Sequence, residues 1–95
     1  QTMAVGILRL ELRLMSPHSL KEKRAIINPL KNYLRKKKNV SVAEIDYHDI
    51  WQSAVLEVAM ACNHRAKLKS NLDSIQQIIE NRFPVEVSSE SIEIV

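Results

Sequence analysis

The chain of 95 residues contains one glycine and one cysteine. Gly6 alone cannot build a Gly-rich phosphate loop, which needs several positions without a Cβ. Cys62 alone excludes an internal disulfide framework and a multi-cysteine zinc site. No apolar run approaches the ~20 residues that a membrane-spanning helix needs. No signal peptide is visible, so a cytoplasmic location and no membrane partner are the expectation. Linkers, low-complexity tracts and internal repeats are also lacking. What remains is 45% hydrophobic and 26% charged. That is the composition of an ordinary globular chain, and the length fits a single domain over residues 1–95.

The charge is unevenly placed. Between Ser19 and Lys38 stand eight basic residues and one acid, a local +7. From Ser70 to Val95 there are five acids and one arginine, a local −4. Such asymmetry points to an anionic partner, of which nucleic acid is the commonest.

Residues 4–15 alternate with period 2. Leu8, Leu10, Leu12 and Leu14 fall on one face, and Arg9, Glu11 and Arg13 on the other, which predicts a half-buried strand. Ser19-Leu20-Lys21-Glu22 reads as a capping box. Leu20, Ile27, Leu30 and Leu34 follow at helical spacing, predicting a helix over about 19–37. Pro29 either kinks this helix or breaks it, with Asn28 capping a new one; the stripe keeps its phase across Pro29, which favours the kink. Strands are predicted over Asn39–Tyr47 and Gln52–Cys62, joined by a turn at His48–Ile50. Asn63 is a candidate cap for a helix whose stripe is Leu68, Leu72, Ile75 and Ile79. Pro84 stops that helix. The last strand changes phase near Ser88–Ser89, which predicts a bulge. The order βαββαβ predicts an α+β, ferredoxin-like sandwich: a four-stranded antiparallel sheet in order 4-1-3-2, with both helices on one face and the other face open.

Three features carry the candidate chemistry. On the first helix, Lys21, Arg24, Lys31, Arg35 and Lys36 project to one side, with Asn28 and Asn32 among them. Cations on successive helical turns can each meet a phosphate oxygen. Aromatic interleaving is poor, with only Tyr33 near, which argues against base stacking and for backbone or shape recognition. The second feature is a cluster around the hairpin turn, Asp46, His48, Asp49, Trp51 and Gln52, which with His18 forms a candidate ligand rim. The competing expectation is a polar turn in which Asp49 bonds its own backbone and Trp51 plugs the end of the sandwich. The spacing matches no recognised metal site, and no metal, cofactor or catalytic residue is assigned. Cys62 is expected to be a buried, inert thiol. The third feature is the open sheet face, where Val5, Ile7, Val55, Ala59 and Ala61 stand beside charged neighbours. Strand 2 is uncharged from Asn39 to Ala43 and lacks the usual edge protection, so homodimerisation is a further expectation.

HSLKEKR (His18–Arg24), NVSVAEIDYHDIWQSA (Asn39–Ala54) and the strand ending at Cys62-Asn63 resemble the YlxP-like family of small bacterial proteins, a family of unknown function. The similarity runs from Val5 to Val95. It implies a ferredoxin-like fold. Family genes are commonly placed among those for translation initiation and ribosome maturation, so the resemblance also implies a role near RNA or the ribosome. The family pattern maps onto Ser19–Arg24, Asp46, Asp49, Trp51 and Gln52. Ser53 departs from it, because a basic residue is frequent there. The expectation for function is a non-enzymatic protein that binds RNA or a ribosomal particle through the basic helix side, with His18 and Trp51 adding local contacts.

Overall fold

A computed structural model of the chain describes residues 3–95. It contains β1 (Ala4–Leu14), α1 (Leu20–Lys38), β2 (Ser41–Asp46), β3 (Ser53–Cys62), α2 (Arg65–Arg82) and β4 (Val85–Ile94). The strands form one sheet in the order β2-β3-β1-β4. Every neighbouring pair is antiparallel. This is the ferredoxin-like α+β arrangement that the alternation of periods 2 and 3.6 predicts.

One face of the sheet is aliphatic and covered. Leu8, Leu10, Leu12 and Leu14 of β1 and Ala54, Leu56, Val58 and Met60 of β3 are buried there. They meet Ile27, Leu30 and Leu34 of α1 and Leu68, Leu72, Ile75 and Ile79 of α2 in one core. Each fully buried leucine or isoleucine contributes about 1.5–3 kcal/mol of transfer free energy. The one glycine lies where α2 crosses β1. A Cβ on Gly6 would stand 2.6 Å from Leu72 Cδ1 and 3.1 Å from Leu68 Cγ. The packing of these two α2 leucine side chains onto the strand, not an unusual backbone angle, disfavours a Cβ there.

Helix α1 starts as its capping box dictates. Ser19 Oγ accepts the Glu22 amide at 3.1 Å, and Glu22 Oε1 accepts the His18 amide at 2.9 Å. The glutamate thus reaches one residue beyond the cap itself. The helix runs unbroken through Pro29, so the alternative start at Asn28 does not occur. Buried residues on both sides of the proline, Ile27 and Leu30, hold the segment together despite one missing hydrogen bond. Asn39 ends the helix in the left-handed region at φ 52°, a conformation asparagine tolerates. Helix α2 is capped by His64 rather than Asn63, and the His64 side chain makes no cap bond. Its first backbone bond runs from the Leu68 amide to the His64 carbonyl, which sets the boundary one residue later than expected.

Two bulges re-aim the outer strands. In β4 the register passes from Leu12↔Val87 to Glu11↔Ser89, which leaves Ser88 unpaired, as the change of phase predicts. In β2 it passes from Glu44↔Leu56 to Asp46↔Val55, which leaves Ile45 unpaired. Glu44 therefore lies opposite the inward-facing Leu56, on the side of the sheet that meets the helices. Among the described residues no helix is long and apolar enough to cross a membrane.

Candidate functional site

Among the described residues no carboxylate forms an ion pair with the basic side of α1. Lys21, Arg24, Arg35 and Lys36 are exposed and Lys31 is half-buried. The two ion pairs among the described residues are Arg9–Glu57 and Lys23–Glu44, and neither uses any of those five side chains. One of the five has structural work. Arg35 Nη2 donates to the Val42 carbonyl of β2 at 2.8 Å, and Nη1 donates to Asn32 Oδ1 at 3.1 Å. At the helix C-terminus Lys38 Nζ reaches Ser74 Oγ at 3.4 Å, while Lys37 is exposed. Arg82 covers the Tyr33 ring at 4.3 Å, so the one aromatic near the basic side is engaged from α2.

Lys23 is the exception among the eight cations. It is only 2% exposed. Its phase on α1 is that of Ile27, Leu30 and Leu34, so its stem lies in the core. Its ammonium stands 2.9 Å from Glu44 Oε2, an ion pair not aligned as a hydrogen bond, and donates to the Tyr47 carbonyl at 2.7 Å. The sequence offered a signal for this strut: a lysine in an apolar stripe, and a glutamate two residues after Val42 on the inward phase of β2.

The Tyr47 contact bears on the turn. Tyr47 has φ 62°, a left-handed conformation that costs a bulky residue roughly 1–3 kcal/mol. Three hydrogen bonds hold it. Its amide donates to Asp46 Oδ1 at 2.8 Å, and its carbonyl accepts both Lys23 Nζ and the Ile50 amide, the latter at 3.0 Å. The turn bond to the backbone thus belongs to Asp46, not to Asp49 as expected. On the far side the Leu14 amide donates to the Gln52 carbonyl at 2.9 Å, tying the turn to the end of β1.

A shallow cleft of about 380 Å³ opens between this turn and the start of α1, lined by His18, Asp49, Ile50, Trp51 and Gln52. Four of the six rim residues therefore meet as the sequence suggested. Asp46 and His48 do not line it: Asp46 is spent on Tyr47, and His48 Nε2 lies 3.1 Å from the Glu44 carbonyl. Trp51 is 48% exposed. It does not plug the sandwich, because the aliphatic core closes beneath the turn without it. Ile50 and Met15 are exposed as well. Among the described residues no group of three or more His, Cys, Asp or Glu side chains is placed to hold a metal ion.

The β2 edge is not bare. Val42 and Glu44, two residues apart, send their carbonyls to the same side of the strand. Arg35 and His48 take them. Strand 2 is a sheet edge without charged protection of its own from Asn39 to Ala43, and side chains outside the strand cover these two acceptors. On the open face Arg9 and Glu57 pair across the strands at 3.3 Å, and Val55 is buried there. Cys62 is half-buried rather than buried, and its sulfur accepts the His64 amide at 3.5 Å.

Fold and site together define a small ferredoxin-like α+β protein with a cationic helix face that ends at a cleft. The profile of the family described as "Protein of unknown function (DUF503)" matches residues 5–92. A relative from Bacillus subtilis (strain 168), described as "Uncharacterized protein YlxP", is 31% identical over 80 residues, covering 84% of this chain and 86% of the relative. The chain belongs to this family.

Proposed function

We propose that this protein is a non-enzymatic RNA-binding protein that docks through the basic side of α1, on free RNA or on RNA within a ribosomal particle. One observation carries the reading. Lys21, Arg24, Lys31 and Lys36 form a continuous cationic strip with no ion-pair partner among the described residues, so each is available to a phosphate. Binding is then dominated by counterion release and has a steep salt dependence with little sequence preference along the helix. Arg35 plays a smaller part, because its guanidinium already holds Val42.

The test is affinity for a structured RNA at two salt concentrations, for wild type and for Lys21→Glu with Lys31→Glu and Lys36→Glu. Charge reversal weakens binding at least about tenfold at low salt and flattens the salt slope by roughly 0.7–0.9 for each phosphate that is no longer neutralised. Equal affinity and equal slope for both proteins overturn the reading.

A second reading, a homodimeric interaction module, draws on the open sheet face. There Ile7, Ser41, Val42, Ala43, Glu57 and Ala59 line a mostly apolar hollow of about 220 Å³. Light scattering of the same samples separates the two. A monomer that binds RNA supports the first, and a salt-insensitive dimer that binds none supports the second.

A further inference from the structure

We infer that the cleft at the N-terminal end of α1 receives one unstacked guanine base of a bound single-stranded RNA segment, stacked on Trp51 and held by the Asp49 carboxylate. This rests on the RNA-binding reading and adds base recognition to it.

The cleft is shallow and open, about 380 Å³ in volume, with a mixed polar and apolar lining, which suits one flat ring held from a single side better than an enclosed ligand. Trp51 and Ile50 present apolar surface to it, and Asp49, Gln52 and His18 present polar groups. An indole left 48% exposed, above a core that closes without it, gains by covering its face with another flat ring. Base–aromatic stacking is worth ~1–3 kcal/mol per base. The cleft also lies against the cationic strip. His18 immediately precedes the cap of α1, and Lys21 and Arg24 occupy the first turns of that helix. A strand with its phosphates on Lys21 and Arg24 brings the next base to the cleft mouth, and splayed bases are the features of RNA that proteins read.

The carboxylate decides which base. Asp49 accepts no hydrogen bond from the other described residues, in contrast to Asp46, which is committed to the Tyr47 amide. An ionised carboxylate only accepts. Guanine alone among the RNA bases offers two adjacent donors on its Watson–Crick edge, the ring N1–H and the exocyclic amine. Uracil flanks its single N–H with two carbonyls that repel a carboxylate. Adenine and cytosine each set one amine beside a ring acceptor. The turn backbone is also held in place: Tyr47 is kept in a strained conformation by Lys23 and Asp46, and its carbonyl accepts the Ile50 amide, closing the 47–50 turn that carries Asp49.

Trp51 is the only tryptophan, so intrinsic tryptophan fluorescence reports on the cleft alone. The test titrates the full chain with short oligouridines that carry one central guanosine, one central adenosine or neither, at low salt. The guanosine oligomer is expected to bind about tenfold tighter than the others and to quench Trp51. Asp49→Asn erases the preference while affinity for plain oligouridine is kept. Trp51→Leu, followed by anisotropy of labelled RNA, loses the preference with no change in thermal stability. Four results count against the inference or its foundation. Equal binding of all oligomers with unquenched fluorescence, still weakened by Lys21→Glu with Lys31→Glu and Lys36→Glu, overturns the cleft and leaves the helix. Guanosine-dependent quenching that those charge reversals leave undiminished keeps the cleft and overturns the helix. No binding of any oligomer, with structured RNA still bound, overturns the cleft alone; no binding of oligomers or of structured RNA overturns both.

Discussion

The two βαβ halves of the molecule guard their outer strands with opposite charges. In the first half α1 sends Arg35 to the Val42 carbonyl of β2, and Lys23 to Glu44 and Tyr47. In the second half α2 sends Glu80, whose Oε2 accepts the Val87 amide of β4 at 2.8 Å. A cation satisfies an orphan acceptor in one half, and an anion satisfies an orphan donor in the other. The cost of an unpaired edge group falls on both strands alike, so the halves differ in sign rather than in purpose. The electrical asymmetry of the chain is thus partly architectural. What architecture leaves over, the strip from Lys21 to Lys36, is the part available for function.

The largest effect should come from breaking the strut of the first half. Lys23→Ala leaves Glu44 mostly buried without a counter-charge and removes a support of Tyr47. We expect a loss of about 3 kcal/mol in chemical denaturation. Lys23→Met combined with Glu44→Leu should recover most of it, because an apolar pair of similar volume needs no desolvated charge. A single variant as stable as wild type would show the strut to be idle. Arg35→Ala comes next. It frees one carbonyl, at about 1 kcal/mol, and reopens the β2 edge, so mass measured by light scattering should rise with concentration. A variant whose mass and stability both match those of wild type would mean that His48 and the Ile45 bulge suffice.

These two residues also show where sequence reasoning stopped. Element order, the burial of the leucine face and the β4 bulge follow from periodicity, because burial of one face imposes the period, and the sheet order follows from the right-handed crossovers of the βαβ units. Lys23 and Arg35 are chemically like their exposed neighbours on α1. Only the phase of Lys23 against Ile27 and Leu30 distinguished it, and that becomes decisive only once Glu44 is known to face inward past the Ile45 bulge. The exposure of Trp51 was illegible for a related reason. Aliphatic side chains from strands and helices fill the core, and no local pattern announces that a tryptophan is surplus to it. His18 met the turn residues in one cleft because the strand order sets the β1–α1 connection beside the β2–β3 turn. Asp46 and His48 are drawn away from that rim by backbone partners that sequence spacing does not reveal.

The smallest effect, of opposite sign, belongs to the second half. Glu90 lies opposite Leu10 in β4, on the side facing α2. Partial burial, and then the charges of Asp73 and Glu80 on α2, raise its pKa above the ordinary 4.5. The native state therefore holds that proton more tightly than the unfolded chain does. The stability this group contributes is fully present below its unfolded pKa and is lost as pH rises through the folded value, so at neutral pH its charge is a liability. Glu90→Gln should raise the melting temperature slightly at neutral pH, and the gain should vanish when both proteins are melted below pH 4.5. Glu80 cannot be relieved in the same way, because its carboxylate is fixed to the Val87 amide. A gain that persists in acid would assign the effect to packing rather than charge. A loss at neutral pH would mean that β4 draws net support from its acids, and the two halves would then differ in purpose as well as in sign.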